Sequence, residues 1–209
     1  MMDNIFIRIL SRIFDLIVLN ILWAVFCLPI VTIGASTTAL YSVTLKMVVN
    51  EEGYLIRDFW RAFKRDFKQS TSIWLLLLVL GIFFGIDFVI VRRWPGVGGQ
   101  IGVFVLGIAG LLYGLVLLFV FPLIAKFENT MLQMIKNALL IPVSRFPYTI
   151  LCLLMTGMCV GLTFMNSTTV LIGSVVWTLI GGSVLAYANS LLMRKIFEPY
   201  IITTNENEE

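Results

Sequence analysis

The sequence contains no histidine. That removes the commonest general acid/base and the commonest metal ligand together. Charge is scarce as well: 13% of residues are Asp, Glu, Lys or Arg, against about 25% in a soluble domain. Cysteine is limited to Cys27, Cys152 and Cys159. All three lie in apolar runs without a CxxC, which excludes the usual zinc and dithiol spacings, and they read as small packing residues. The chain also lacks a phosphate-binding loop, a nucleophile elbow and a pair of catalytic carboxylates. Neither an enzyme nor a cofactor or metal site is expected.

What is present is apolar. Of 209 residues, 59% are hydrophobic, and the mean hydropathy is +0.98. A membrane-crossing helix needs about 20 mostly apolar residues. The segments 13–33, 72–91, 101–125, 147–165 and 169–192 qualify. The expected fold is all-α: a polytopic helix bundle of about five spans with cytoplasmic interfacial amphipathic helices. It forms one integral membrane domain over 1–202, with a disordered polar tail over 203–209. Asp15, Asn20, Trp23 and the length of the first apolar run argue against a cleaved signal peptide.

Lys and Arg set orientation. With the N-terminus outside, Arg8, Arg12, Arg92 and Arg93 lie outside and the rest of the 15 basic residues inside. A rival arrangement turns the chain back between Pro29 and Thr38, so that 36–49 returns to the inner side. It leaves only Arg92 and Arg93 outside. That needs two spans of about 16 residues, short for a ~30 Å hydrocarbon core, or a re-entrant segment buried in protein. Span length favours the five-span arrangement, with the N-terminus outside and the C-terminus in the cytoplasm.

The stretch LPIVTIGASTTALY (Leu28–Tyr41) reads as a corner between membrane and interface. Pro29 ends the first helix, Gly34 allows a tight turn, and Ser36, Thr37 and Thr38 cap an interfacial helix over 36–49. A second interfacial helix is expected over 54–70. There Ile56, Phe59, Trp60, Phe63 and Phe67 share one face, and Arg57, Arg61, Lys64, Arg65 and Lys68 occupy the rest. Aromatics beneath and cations around suit a helix lying on an anionic leaflet, or one docking a cytoplasmic partner. Nucleic acid is not expected.

Two carboxylates fall within the spans. Asp15 and Asp87 either pair with nearby arginines at the outer interface or form a substrate or proton site. Glycines four apart at Gly81/Gly85, Gly110/Gly114 and Gly157/Gly161 suit close helix approach within the chain.

LPIVTIGASTTALYSVTLKMVVNEEGY (Leu28–Tyr54), RDFWRAFKRDFKQSTSIW (Arg57–Trp74) and, more weakly, NALLIPVSRFPYTI (Asn137–Ile150) resemble the YesL-like family of small bacterial multi-pass membrane proteins, a domain of unknown function. The resemblance brings no catalytic residues. It implies an association with carbohydrate ABC importers, sensor kinases and glycan-degrading enzymes, beside which such proteins are encoded. The expected function is a non-enzymatic accessory or regulatory component of an oligosaccharide ABC import or sensing system, touching a permease, ATPase or sensor kinase. The alternative is a small-solute transporter or channel acting as a homo-oligomer, with Asp15 and Asp87 on its pathway.

Overall fold

The computed structural model describes residues 2–51 and 53–206, and side chains from Ile7 to Glu198. Among these residues there is no strand. The helices are α1 (Met2–Cys27), α2 (Ile33–Val48), α3 (Leu55–Arg92), α4 (Val97–Lys126), α5 (Met131–Ser144), α6 (Phe146–Thr163), α7 (Ser167–Val176) and α8 (Gly182–Glu206). A 3₁₀ turn, Ile30–Thr32, links α1 to α2, and a π-helical turn, Trp177–Gly181, links α7 to α8. Five stretches are long and apolar enough to cross a membrane: Ile7–Cys27, Leu55–Arg92, Val97–Lys126, Phe146–Thr163 and Ser167–Glu198. Their outer faces are large aliphatic and aromatic side chains, as on Ile82, Phe83, Phe104, Leu154 and Leu171. The chain is a multi-pass membrane protein.

The first expected span, 13–33, stops at Cys27 because Pro29 cannot continue the helix. The chain then doubles back. Trp23 Nε1 donates to Thr37 Oγ1 at 3.3 Å, and Ser36 Oγ donates to the Trp23 carbonyl at 2.9 Å. Further along, Arg12 donates to Asn50 Oδ1 at 2.7 Å. Two contacts in reversed order make α1 and α2 an antiparallel hairpin. Asn50, at φ 57°, closes α2 in the left-handed conformation that asparagine tolerates. Arg12 and Asn50 therefore share one end of the bundle. The expected placement of these two residues on opposite sides of the membrane is corrected by the hairpin, while the five expected spans are found.

The interfacial helix expected over 36–49 is corrected too. α2 is the centre of the molecule, with Ala35, Ser36, Thr38, Ala39 and Thr44 at 0% exposure. It packs on α1 through Ser36, on α3 through Thr38–Ser70 (2.8 Å) and on α8 through Thr44–Ser190 (2.9 Å). Phe121 of α4 closes over Gly34. The hydroxyls expected to cap a surface helix instead join helices, and the N-cap position, Thr32, makes no side-chain cap.

Nor is 54–70 a separate helix. It is the first half of α3, which runs unbroken for 38 residues, about 57 Å at 1.5 Å per residue and nearly twice a ~30 Å hydrocarbon core. No glycine or proline occurs between Leu55 and Leu80. The hydroxyls at the junction are absorbed: Ser72 bonds back to the Lys68 carbonyl and Ser70 meets Thr38. Helix α8 continues to Glu206, so residues 203–206 of the polar tail extend it; 207–209 lie outside the described residues.

Candidate functional site: the cationic end of the bundle

The hairpin fixes which charges gather. The chain leaves the Arg12/Asn50 end along α3, returns along α4, leaves again along α6 and returns along α7 and α8. Of the 15 basic residues, only Arg92 and Arg93 fall at the opposite end.

On α3, Phe59 (1% exposed) and Phe63 (7%) turn inward. Phe26, from the end of α1, packs against them with ring centroids 5.8 and 4.9 Å away, and against Trp60 at 5.5 Å. Half of the aromatic stripe is thus protein core rather than lipid contact, because α1 reaches across it. Ile56, Trp60 and Phe67 remain exposed, as do Arg57, Arg61, Lys64, Arg65 and Lys68. Lys64 Nζ lies 4.8 Å from the Trp60 ring centre, within cation–π range. Arg65 grips Asp66 through Nε and a terminal nitrogen at 2.9 and 2.8 Å, and Lys46 reaches Asp58 at 3.8 Å.

Behind this face lies a pocket of about 460 Å³ where α2, α3, α4 and α8 converge. Lys46, Arg65, Lys126, Arg194, Glu51 and Glu198 are its charged lining; Ser42 also faces it, and the buried Phe197 lines it. Phe197 is held edge-on by Phe127 at 5.5 Å. Lys126 ends α4 and Arg194 sits on α8, so sequence spacing alone does not join them to Lys46 or Arg65.

The corner residues sit together, in new roles. Pro29 enters the 3₁₀ turn, Gly34 lies inside α2 against α3, and Ser36, Thr37 and Thr38 are cross-links between helices. Asp15 and Asp87 are not brought together. Asp15 is one turn from Arg12, at the cationic end. Asp87 is exposed on α3, 13 residues beyond Trp74, about 20 Å past the point where the Trp74 indole donates to the Ile30 carbonyl at the hairpin tip. Gly81 receives Tyr113 of α4, whereas Gly85, Gly110, Gly114, Gly157 and Gly161 face open space. Close approach within the chain holds for Gly81 alone of those six. Cys152 is fully buried packing. The sequence reading missed Asn20 as a structural centre. Its signal was available: a lone carboxamide in an apolar run is costly unless bonded.

Residues 16–88 match the model of a protein family of unknown function, DUF624. They run from within α1 through the hairpin and most of α3. The uncharacterized protein YteU of Bacillus subtilis (strain 168) is 28% identical over 141 residues, 66% of this chain and 63% of that protein. The match therefore spans a little under two thirds of that relative's length. No solved structure matches the chain. Through the hairpin and the long helix that build its cationic end, this chain is similar to DUF624, a family of proteins of unknown function, in keeping with its YesL-like resemblance.

Proposed function

We propose that the chain is a non-enzymatic accessory component of the bacterial cell membrane that docks a cytoplasmic partner on the outer face of α3. The observation that carries this reading is the set of exposed cations Arg57, Arg61, Lys64, Arg65 and Lys68 on a helix longer than the membrane is thick. The partner is an acidic surface of an ABC permease, its ATPase or a sensor kinase. The link to saccharide import rests on the YesL-like resemblance. Lys and Arg favour the cytoplasmic side, so the cationic end faces inward and both chain ends are cytoplasmic.

The test is recovery of tagged protein in mild detergent, with co-purifying subunits identified by mass spectrometry. Arg61→Glu with Lys68→Glu is expected to reduce partner recovery about tenfold while the protein still inserts; loss of two interfacial charge contacts is of that size. Recovery of the chain alone from the wild type sinks the reading. The independent transporter finds less support, since Asp15 and Asp87 are not brought together into one site. Asp87→Asn is expected to leave solute uptake unchanged, and abolished uptake would revive that alternative.

Orientation has its own expected result. In a variant with Cys27, Cys152 and Cys159 replaced by alanine, Ser11→Cys and Gly53→Cys are both shielded from an impermeant maleimide in intact cells, while Arg93→Cys reacts. Labelling of Ser11→Cys but not Gly53→Cys would put the two ends of the hairpin on opposite sides.

A further inference from the structure

We propose that the pocket at the cationic end binds a phosphate-bearing anion. Four of the six charged side chains lining it are cations, one from each of four helices. Lys46 and Arg65 already have carboxylate partners in Asp58 and Asp66, which hold their side chains in place. Lys126 and Arg194 have no ion-pair partner among the described residues and are exposed at the same pocket. A multi-oxygen anion gives each a charge-assisted hydrogen bond.

Phosphate suits the lining better than a lone carboxylate. Its three or four oxygens can be shared among two arginines and two lysines, with arginine supplying a planar fork. Lys46 keeps further N–H donors beyond its contact with Asp58. At about 460 Å³ the pocket is larger than phosphate needs and falls in the range of small-molecule sites. Its remaining wall is apolar, with Leu45, Val49, Ala125 and Phe197. That describes a phosphate ester with an organic body. Glu51 and Glu198 are acceptors for hydroxyls on that body. Such an ester is available as a soluble phosphate monoester or as a lipid headgroup. Arg65 belongs to both surfaces, but Lys126 and Arg194 lie on α4 and α8 and not on the outer face of α3, so the two proposals fail separately.

The experiment uses the full chain in maltoside detergent, titrated calorimetrically with glycerol 3-phosphate and, separately, with dioctanoyl phosphatidylglycerol. Saturable binding of at least one is expected. Lys126→Gln with Arg194→Gln should weaken it roughly tenfold or more, the usual consequence of losing hydrogen bonds to a charged group. Lys136→Gln with Arg145→Gln, equal in charge change but outside the pocket lining, should leave it within about twofold, as charges in water are screened. Binding of glycerol 3-phosphate identifies a soluble ligand; binding of the lipid alone identifies a headgroup. Saturable binding of neither, or equal weakening in both double variants, overturns the proposal.

Discussion

Gly34→Leu is expected to prevent the hairpin from seating on α3, and with it the folded bundle. A Cβ at this position would stand 2.5 Å from Trp74 Cβ, 2.6 Å from the Ser70 carbonyl oxygen and 3.2 Å from the Phe121 ring. The first two are backbone or next to it and cannot rotate away. Overpacking a core costs about 1–3 kcal/mol per modest insertion, and leucine adds three more carbons to the same clash. The damage would spread, because separating α2 from α3 also breaks the Thr38–Ser70 bond and the Trp74 bond to the Ile30 carbonyl. Alanine is the finer probe. In an open helix it gains about 1 kcal/mol over glycine; at Gly34 the clash should reverse the sign and destabilise by about 1–2 kcal/mol. Gly157→Ala, with nothing within 4 Å of the new Cβ, should be neutral or stabilising. The measurement is the fraction remaining monodisperse on size exclusion after heating in detergent. If Gly34→Leu survives heating as well as wild type, α2 and α3 are not in the contact described.

The same residue shows what was legible in the sequence. Hydropathy over about 20 residues is a strong signal, and each predicted apolar segment lies mostly within one of the five long stretches that the structure offers as spans. Pro29 marked the end of α1 through its chemistry alone. What failed was the assignment of small polar residues. Ser36, Thr37 and Thr38 after a proline fit helix caps, but hydroxyls in an apolar helix can equally bond across to a neighbour, and sequence cannot tell which. Choosing caps turned α2 into a surface helix and left the hairpin, which the Lys and Arg count favoured, as the rival arrangement. Charge patterning along Arg57–Lys68 did identify the exposed face of α3, because solvation of cations is nearly independent of tertiary context. Burial of Phe59 and Phe63 beneath Phe26 depends on a contact 33 residues or more away in sequence, beyond any local pattern. The pocket was hidden for the same reason: Lys126 and Arg194 reach it only because α4 and α8 both return to the hairpin's open end.

Asn20→Ala is expected to cost about 2–4 kcal/mol, and Asn20→Asp more. Asn20 is fully buried, and its carboxamide spans from α1 to the π-helical turn between α7 and α8. Nδ2 donates to the carbonyls of Trp177 at 3.0 Å and Thr178 at 2.7 Å, while Oδ1 accepts from the Ser183 amide at 2.9 Å. A π turn displaces backbone groups from the regular helical ladder, and in an apolar bundle there is no water to take them up. Alanine leaves all three contacts unmade. Membrane double-mutant cycles average about 0.6 kcal/mol per hydrogen bond and reach about 1.7, so three bonds and a small void give the stated range. Aspartate separates loss of bonding from loss of shape. It keeps the volume and the acceptor for Ser183 but turns the two donors into an oxygen facing two carbonyl oxygens. The ordering wild type, then alanine, then aspartate in thermal inactivation would show that the direction of the amide matters. An aspartate variant as stable as wild type would mean that the two carbonyls are satisfied some other way. Gly182 adds an independent check: a Cβ there would meet the Trp23 ring at 2.8 Å and Asn20 Oδ1 at 3.0 Å. Gly182→Ala should therefore push α8 off α1 and destabilise the same joint, and combining it with Asn20→Ala should cost less than the two losses added together, as contacting residues that share one interface are not additive.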